Sequence, residues 1–582
     1  MDRKLLQKKL FGNMLPRQRQ YEALRSLAKD TARTFDEVAQ DFKYKPQSLR
    51  NLVSLVMKDE LSFFIEEFTG PKQARLSSEI IKKIIDFRKL RRMSVEDIKD
   101  ELVIEDSEIS ISTINRVLTN AGFSKLHRRT CKERGVSKKN TLISDRAKNL
   151  DFNDLKPFNI DCPVAGVFLF LPYIIESGII EIVSKCRLPE SKDIGSIQAS
   201  LAMLLLKLIG NERLSHIKSY DQEPSFGIFA GLNNLPKDSY MGSYSCRTNE
   251  GILFSLQNEL LTSMVKKYPE FYSSSFINLD FHGIPHFGEE AEMEKVWCGT
   301  RGKSLKGANT LLAQDSSSNV IVYSKTDILH KNEAQEIKQF VEYWKKVKRC
   351  DLLETLVFDC KLTTYSVLGE LDSDEVKFIT LRKRNKTLLA ETRAIPESKW
   401  TRVTLPIPKR KHQKFLVYED KVLLNGCLKP FRQIIIKDHG RANPTFVVSN
   451  NNELPIMKVL EVYAKRWHIE NKISELVSFF NLNALSSPLM IRVHFDIFWT
   501  VVADTLYHVF AKDLPRFENC RANTLFKKFI NFPGRLKYDG NRFVVDIRKR
   551  AHTPILLSVE KLNKPIPIPW LNNKKLEIHW TA

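Results

Sequence analysis

The chain has 582 residues, with 92 Lys and Arg against 69 Asp and Glu, a formal net charge of +23 and a pI of about 9.4. A hydrophobic fraction of 42% is enough for real cores, and nine scattered cysteines without a CxxC pair suit a reducing compartment and argue against a structural zinc site. Positive charge spread along the whole length fits a polyanionic partner held over a large surface. The size predicts roughly three to five domains, and the polar start Met1-Asp-Arg-Lys-Leu-Leu-Gln-Lys has no apolar export core.

Residues 1–130 carry few strand signals and many short amphipathic helices. Thr34-Phe-Asp-Glu-Val-Ala-Gln-Asp-Phe42 predicts a helix capped by Thr34, Lys43-Tyr-Lys45 a turn, and Pro46 to Val53 a second helix with Pro near its first turn. The spacing recurs, with Ser94 to Leu102 preceding Ile111 to Leu118 and Gly122 ending the second helix. This predicts helix-turn-helix modules over residues 1–75 and 76–135. In the DNA-binding version the second helix lies in the major groove. Gln47, Ser48, Arg50 and Asn51, then Ser112, Thr113, Asn115 and Arg116, would face the bases. Plain packing modules are the competing reading, and the basic run Lys125-Leu-His-Arg-Arg129 favours DNA.

Residues 150–270 predict a helical intermediate region: Pro163 to Ile175 is strongly apolar, and Ala199 to Ile209 is an apolar helix. Next, Phe276 to Leu279 predicts a short buried strand that closes at Asp280 and is ended by Gly283 and Pro285. A second apolar, β-prone run ends at Asp359 in Leu356-Val-Phe-Asp359-Cys360. An Asp closing a strand sits at the rim of a sheet, where sites tend to form; a helix cap or turn Asp is the bland alternative. Thr401 to Leu405, Lys414 to Tyr418, Arg432 to Ile436 and Phe446 to Ser449 predict a β-rich segment over about 385–450. Its basic stretch, with Lys409, Arg410 and Lys411, and the earlier Leu381-Arg-Lys-Arg-Asn-Lys386 are candidate phosphate contacts. Trp400 and Trp467 are candidates for stacking on an extruded base, against the commoner reading of Trp as core.

Tyr463-Ala-Lys-Arg466-Trp467-His-Ile-Glu470 places Tyr463, Arg466 and Glu470 within an arc of roughly 60° on one helix. Alone it is an ordinary helix with one Arg–Glu pair. Behind two strand-end Asp residues it completes a set of three acids. Met490 to Ala511 is apolar and long enough to span a bilayer, but Arg492, His494, Asp496, Asp504 and His508 within it predict a buried flanking helix instead. The C-terminal region 513–582 includes a hairpin signal at Tyr538-Asp-Gly-Asn541.

The Asp280, Asp359 and Tyr463–Glu470 set resembles the DDE transposases of bacterial insertion sequences. The closest branch moves DNA by cut-and-paste and carries a β insertion before the catalytic Glu. Its signature, Tyr-x2-Arg-x3-Glu-x6-Lys, is matched at Tyr463, Arg466 and Glu470; the Lys position is Val477, with Lys472 nearby at another angle. The resemblance implies an α/β RNase H-like catalytic core over 271–512. It implies Asp280, Asp359 and Glu470 as catalytic residues and ligands of two Mg²⁺ ions, with Mn²⁺ as a substitute. Tyr463, Arg466 and Trp467 become DNA-binding residues. The implied function is a transposase that binds the terminal inverted repeats of an element and performs DNA cleavage and strand transfer as a homodimer on paired ends, in the prokaryotic cytoplasm and without a membrane partner. A silent DNA-binding regulator derived from a transposase and an RNase H-like nuclease are the alternatives. The 111 residues from Asp359 to Glu470 exceed a direct crossover and require a folded insertion. His282 and His286 lie on a segment broken by Gly283 and Pro285, so a helical two-His zinc pattern does not apply; they line the site or contact phosphate. Cys360 has no His partner and reads as packing.

Overall fold

The computed structural model describes residues 16–581 apart from 62, 64–75, 92, 105–108, 125–145, 221–222, 289–292, 349–354, 362–363, 406–412 and 485–488. Lys125 to Arg129 and the Lys409, Arg410, Lys411 segment therefore lie outside the described residues. The chain divides into two units, Met1–Lys139 and Asn140–Ala582.

The first unit is helical. Helices α1 (Pro16–Lys29), α2 (Phe35–Asp41) and α3 (Pro46–Met57) close on Ala23, Val38, Ala39 and Leu49. Thr34 and Glu37 form a reciprocal capping box at the start of α2, so two orphan N–H groups are satisfied by side chains. Lys43, at φ +55°, makes the turn, and Pro46 opens α3 where no N–H partner is needed. Helices α4 (Ser78–Arg91), α5 (Val95–Ile104) and α6 (Ile111–Asn120) repeat the arrangement around Ile84, Ile98, Leu102, Ile114 and Leu118. Ser110 caps α6 by accepting from the Thr113 N–H.

The second unit begins with a correction. Residues 158–162 form a strand, β1 (Phe158–Cys162), within the region expected to be purely helical. Helices follow, among them α7 (Ser196–Leu208), buried almost all round, and α8 (Glu250–Lys267). The central sheet then opens with β2 (Phe276–Pro285), β3 (Lys295–Cys298), β4 (Lys303–Asp315) and β5 (Ile321–Lys325). After α9 (Glu333–Lys348) come β6 (Thr355–Val357), α10 (Tyr365–Ser373), β7 (Phe378–Leu381) and α11 (Lys386–Arg393). Strands β8 (Thr401–Thr404), β9 (Lys414–Val422), β10 (Phe431–Lys437) and β11 (Thr445–Ser449) precede α12 (Ile456–Lys465), α13 (Trp467–Ser478) and α14 (Met490–Lys512).

The sheet order is β3-β4-β2-β6-β7-β11-β10-β9-β8, with β5 also on β4. Strands β2, β6 and β7 run parallel to one another; every other pairing is antiparallel. The strands expected in the insertion are present, and they extend the same sheet because β11 pairs directly with the edge of β7. In the C-terminal segment, β12 (Gly534–Tyr538) and β13 (Arg542–Arg548) form the expected hairpin, with Gly540 at φ +96° in its turn. With β14 (Ile566–Ile568) and β15 (Lys574–Thr581) they build a second sheet of order β1-β12-β13-β15-β14. Strand β1 is thus recruited by partners almost 400 residues away in sequence, and no local periodicity announces that.

The apolar stretch from Met490 is the core helix α14, in which Trp499, Tyr507 and Phe510 are fully buried. No single helix among the described residues is long and apolar enough to cross a membrane. Both acids of α14 are matched by buried lysines. Lys207 of α7 reaches Asp496 at 2.7 Å. Lys472 of α13 donates to Asp504 at 2.6 Å, to Glu475 at 3.4 Å and to the His508 Nε2 at 2.8 Å. Burial pushes the Asp504 carboxyl up, opposed by Lys472, and pushes His508 well down, so His508 is a neutral acceptor. The Lys472–Asp504 pair locks the rear of α13 to α14. Substituting Lys472→Met leaves Asp504 buried without its cation and should lower stability by about 3–5 kcal/mol in urea denaturation, with Lys472→Met/Asp504→Asn recovering most of the loss.

Candidate active site

The site is built on one face of β2. Residues two apart on a strand share a face, so Asn278, Asp280 and His282 point the same way while Ile277 and Leu279 are buried on the other side. Asp280 does not close its strand, contrary to the sequence expectation. Strand β2 continues to Pro285 because β4 goes on pairing with it as far as Gly307. Gly283 is no breaker either: Val296 of β3 packs so close that a Cβ there would lie 2.7 Å from the Val296 Cβ. The rim is supplied by the neighbour. Strand β6 stops at Val357, opposite Asn278, and the chain leaves it at Asp359. Asp359 therefore lies just past the end of β6, near enough to Asp280 to interact with it electrostatically.

Glu470 arrives from above on α13. The helix expected to run unbroken from Tyr463 to Glu470 is interrupted at Arg466, where α12 ends and α13 begins. The backbone tightens there to i→i−3 bonds, Arg466 N–H to Tyr463 and Ile469 N–H to Arg466. The kink leaves Arg466 buried, at 7% exposure, and turns it inward. Its guanidinium donates to Glu470 at 2.6 Å and to Asp280 at 3.5 Å. As arranged here Arg466 is a counter-ion of Asp280 and Glu470. Its Nε is buried without a hydrogen-bond partner.

Electrostatics follow from this packing. Burial pushes the Asp280 carboxyl up to about 6; Arg466 opposes the shift, while Glu470 and Asp359 add to it. Burial also raises Tyr463 well above the ordinary phenol range, with Arg466 opposing and Asp359 reinforcing, so its hydroxyl stays protonated. Cys360 is held as a thiol, its pKa pushed up to about 11 by burial and by the adjacent Asp359. Among the described residues no three His, Cys, Asp or Glu side chains close tightly enough on one point to hold a metal ion. The three acids are brought to one locality but not to one chelating point, because carboxylates repel unless a cation separates them, and Arg466 separates Asp280 from Glu470. The donor set itself, three carboxylates in electrostatic contact, fits a hard divalent ion.

Other assignments sort by exposure. Trp467 is 61% exposed beside Arg466 and free to stack, whereas Trp400 is buried against Leu388, Ile435 and Phe446, under Lys437. Val477, in the signature's Lys position, packs partly buried on the core, and Lys472 is committed to Asp504. Gln47, Ser48, Arg50 and Asn51 are exposed on α3, Gln47 donating to Asn51 at 3.3 Å. On α6, Ser112 and Arg116 are exposed and Thr113 and Asn115 half-buried. Sequence reasoning missed Asn278, Gln314 and Asn483. The available signal was polar residues at alternate positions in an otherwise apolar strand.

Residues 273–503 match the family model described as the transposase DDE domain. Over these residues the chain is similar to the DDE domain of transposases. The segment holds all three acids, the signature helix and every strand of the central sheet. Among solved structures, the chain is similar to one described as a piggyBac transposase synaptic complex with hairpin DNA, at 12% identity over 58% of this chain and 75% of that one, with a TM-score of 0.30. Another similar structure is the Mos1 strand transfer complex, at 10% identity over 63% and 78% of the two chains and a TM-score of 0.14. No curated protein matches the sequence significantly.

The DDE-domain geometry has a pH consequence. Asp280 has a folded-state pKa near 6 against about 3.9 unfolded, so the folded form binds the extra proton between those values. The associated stability is complete below pH 4 and is lost as pH rises through 6. In chelator, Asp280→Asn should gain on the native protein between pH 4 and 7, by up to about 3 kcal/mol, in urea denaturation at each pH.

Proposed function

We propose that this DDE transposase binds the terminal inverted repeats of an insertion element and catalyses metal-dependent DNA cleavage and strand transfer. The observation that carries the reading is the electrostatic contact of Asp280 with Asp359, just past the end of the adjacent parallel strand, and its link to Glu470 through Arg466. The order β5-β4-β2-β6-β7, three antiparallel strands followed by two parallel ones, supports an RNase H-like core, with β8 to β11 as the insertion.

Asp280, Asp359 and Glu470 would hold two divalent ions, Mg²⁺ with Mn²⁺ as substitute. When bound, such ions activate an attacking oxygen and stabilise the leaving one. Water attacks first and frees a 3′-hydroxyl, which then attacks a second phosphodiester. Tyr463, kept protonated by burial, donates a hydrogen bond to DNA or water and forms no covalent bond with DNA. Arg466 neutralises charge, now between the acids and, with DNA in place, at a phosphate. Trp467 offers an exposed face for a base.

End recognition falls to the first unit. Helices α2 and α3 join by a short connection, and Gln47, Ser48, Arg50 and Asn51 of α3 and Ser112 and Arg116 of α6 are exposed, which supports helix-turn-helix modules over 1–75 and 76–135. Residues 150–270 and 513–582 frame the catalytic domain over 271–512, two protomers pair the ends, and the protein acts in the prokaryotic cytoplasm.

On a plasmid carrying the gene with its flanking DNA, Asp280→Asn, Asp359→Asn and Glu470→Gln should each abolish cleavage while leaving end-binding within a few-fold. Near-normal cleavage by any of them removes that residue from the site. Deleting residues 1–139 should eliminate sequence-specific binding, read by competition against unrelated DNA; unchanged specificity refutes the recognition role.

A further inference from the structure

The three same-face residues of β2 are all tied to the segment that carries Glu470. The Asn278 amide donates to Gln314 at 3.2 Å, and the Gln314 amide donates to the His468 carbonyl, in the first turn of α13, at 3.4 Å. Asp280 is joined through Arg466. His282 Nε2 lies 2.7 Å from Asn483 Oδ1, in the turn just beyond the C-terminal end of α13. That turn is rigid. Asn481, at φ +56°, donates to the Gly210 carbonyl at 3.1 Å, Leu482 is buried, and its N–H returns to Leu476. An amide oxygen only accepts, so His282 carries its proton on Nε2 and is spent on this bond; burial lowers its pKa and keeps it neutral.

We propose that His282, acting through Asn483, is a positioning residue that keeps the Glu470 helix in register with Asp280. It is neither a metal ligand nor an acid–base group. The proposal rests on the transposase reading above. Its logic is geometric: the two acids sit on different elements, α13 is kinked free of α12 at Arg466, and β2 therefore grips α13 and its turn at both ends. A displacement of about 1 Å at a catalytic carboxylate costs on the order of 10²-fold in rate, and partners that orient metal-binding side chains matter by roughly 10- to 100-fold in metal affinity or activity.

The test uses the full-length protein and a plasmid carrying the gene with its flanking DNA. His282→Ala should slow cleavage by about 10- to 100-fold with DNA affinity within a few-fold. His282→Gln, whose amide can still donate to Asn483, should recover most of the rate. Asn483→Ala should match His282→Ala, and the double variant should be no slower than the slower single one, as a shared bond requires. Mn²⁺ alone, titrated by paramagnetic resonance, gives a readout without turnover: half-saturation should rise about 10-fold in His282→Ala and return in His282→Gln. Additive losses, or native cleavage and Mn²⁺ binding in His282→Ala, overturn the proposal. Should His282→Ala fail to fold, native cleavage and Mn²⁺ binding in Asn483→Ala do the same. Asp280→Asn run in parallel separates the failures: if it is dead while His282→Ala is native, only the positioning role falls; if it cleaves, the catalytic reading falls.

Discussion

Mutual repulsion among three carboxylates governs this molecule. Asp280, Asp359 and Glu470 come from strand β2, the end of β6 and helix α13, and the surroundings of Asp280 are poor in water. Left alone, such charges push their elements apart. The chain answers with Arg466, drawn inward by a kink and bonded to two of the acids. A buried guanidinium is costly to desolvate and is tolerated only with its partners in place. The kink turns Arg466 inward, and Arg466 in turn opposes the rise that burial imposes on the Asp280 carboxyl.

The same constraint explains why the surrounding polar groups are arranged so deliberately. Helix α13 has a front that carries Glu470 and a rear pinned by Lys472 to Asp504. Its ends are fixed by Gln314 and by His282. Each tie is a hydrogen bond or ion pair with at least one partner buried or half-buried, where unmet groups are expensive. The ties bring β2 and α13 together from opposite sides of an interval of nearly 200 residues. The long interval is filled by strands that continue the sheet, so the insertion stiffens the platform on which β6 and β7 end.

Legibility varied with how local the cause was. Thr34 capping α2 through Glu37, the Pro46 start of α3, and the Asp-Gly turn between β12 and β13 depend on a few neighbouring residues and were readable. The two Asp residues and the Glu helix were readable as a set, through the resemblance of Tyr463-x2-Arg466-x3-Glu470 to a known signature. The end of β2 was not, because whether Gly283 and Pro285 stop a strand depends on β4 pairing beside them and Val296 packing on the glycine. Strand β1 was invisible for the same reason: its partner lies in the C-terminal segment. The burial of Arg466 was not readable either, since exposure is a property of neighbours.

By itself the sequence determined the helical texture of the first unit, the chemistry of the three acids and their signature helix, and the need for a folded segment before Glu470. Those follow from residue type and short-range spacing, which survive without knowledge of the rest of the chain. Only the tertiary structure decided that Asp359 comes near Asp280 just past the end of a parallel neighbour strand, that Arg466 stands between Asp280 and Glu470, that Lys472 is a core ion pair, and that His282 faces Asn483. Register, burial and partner choice are set by contacts between residues tens to hundreds of positions apart, and the energy of each such contact exists only once both partners have been brought out of water together.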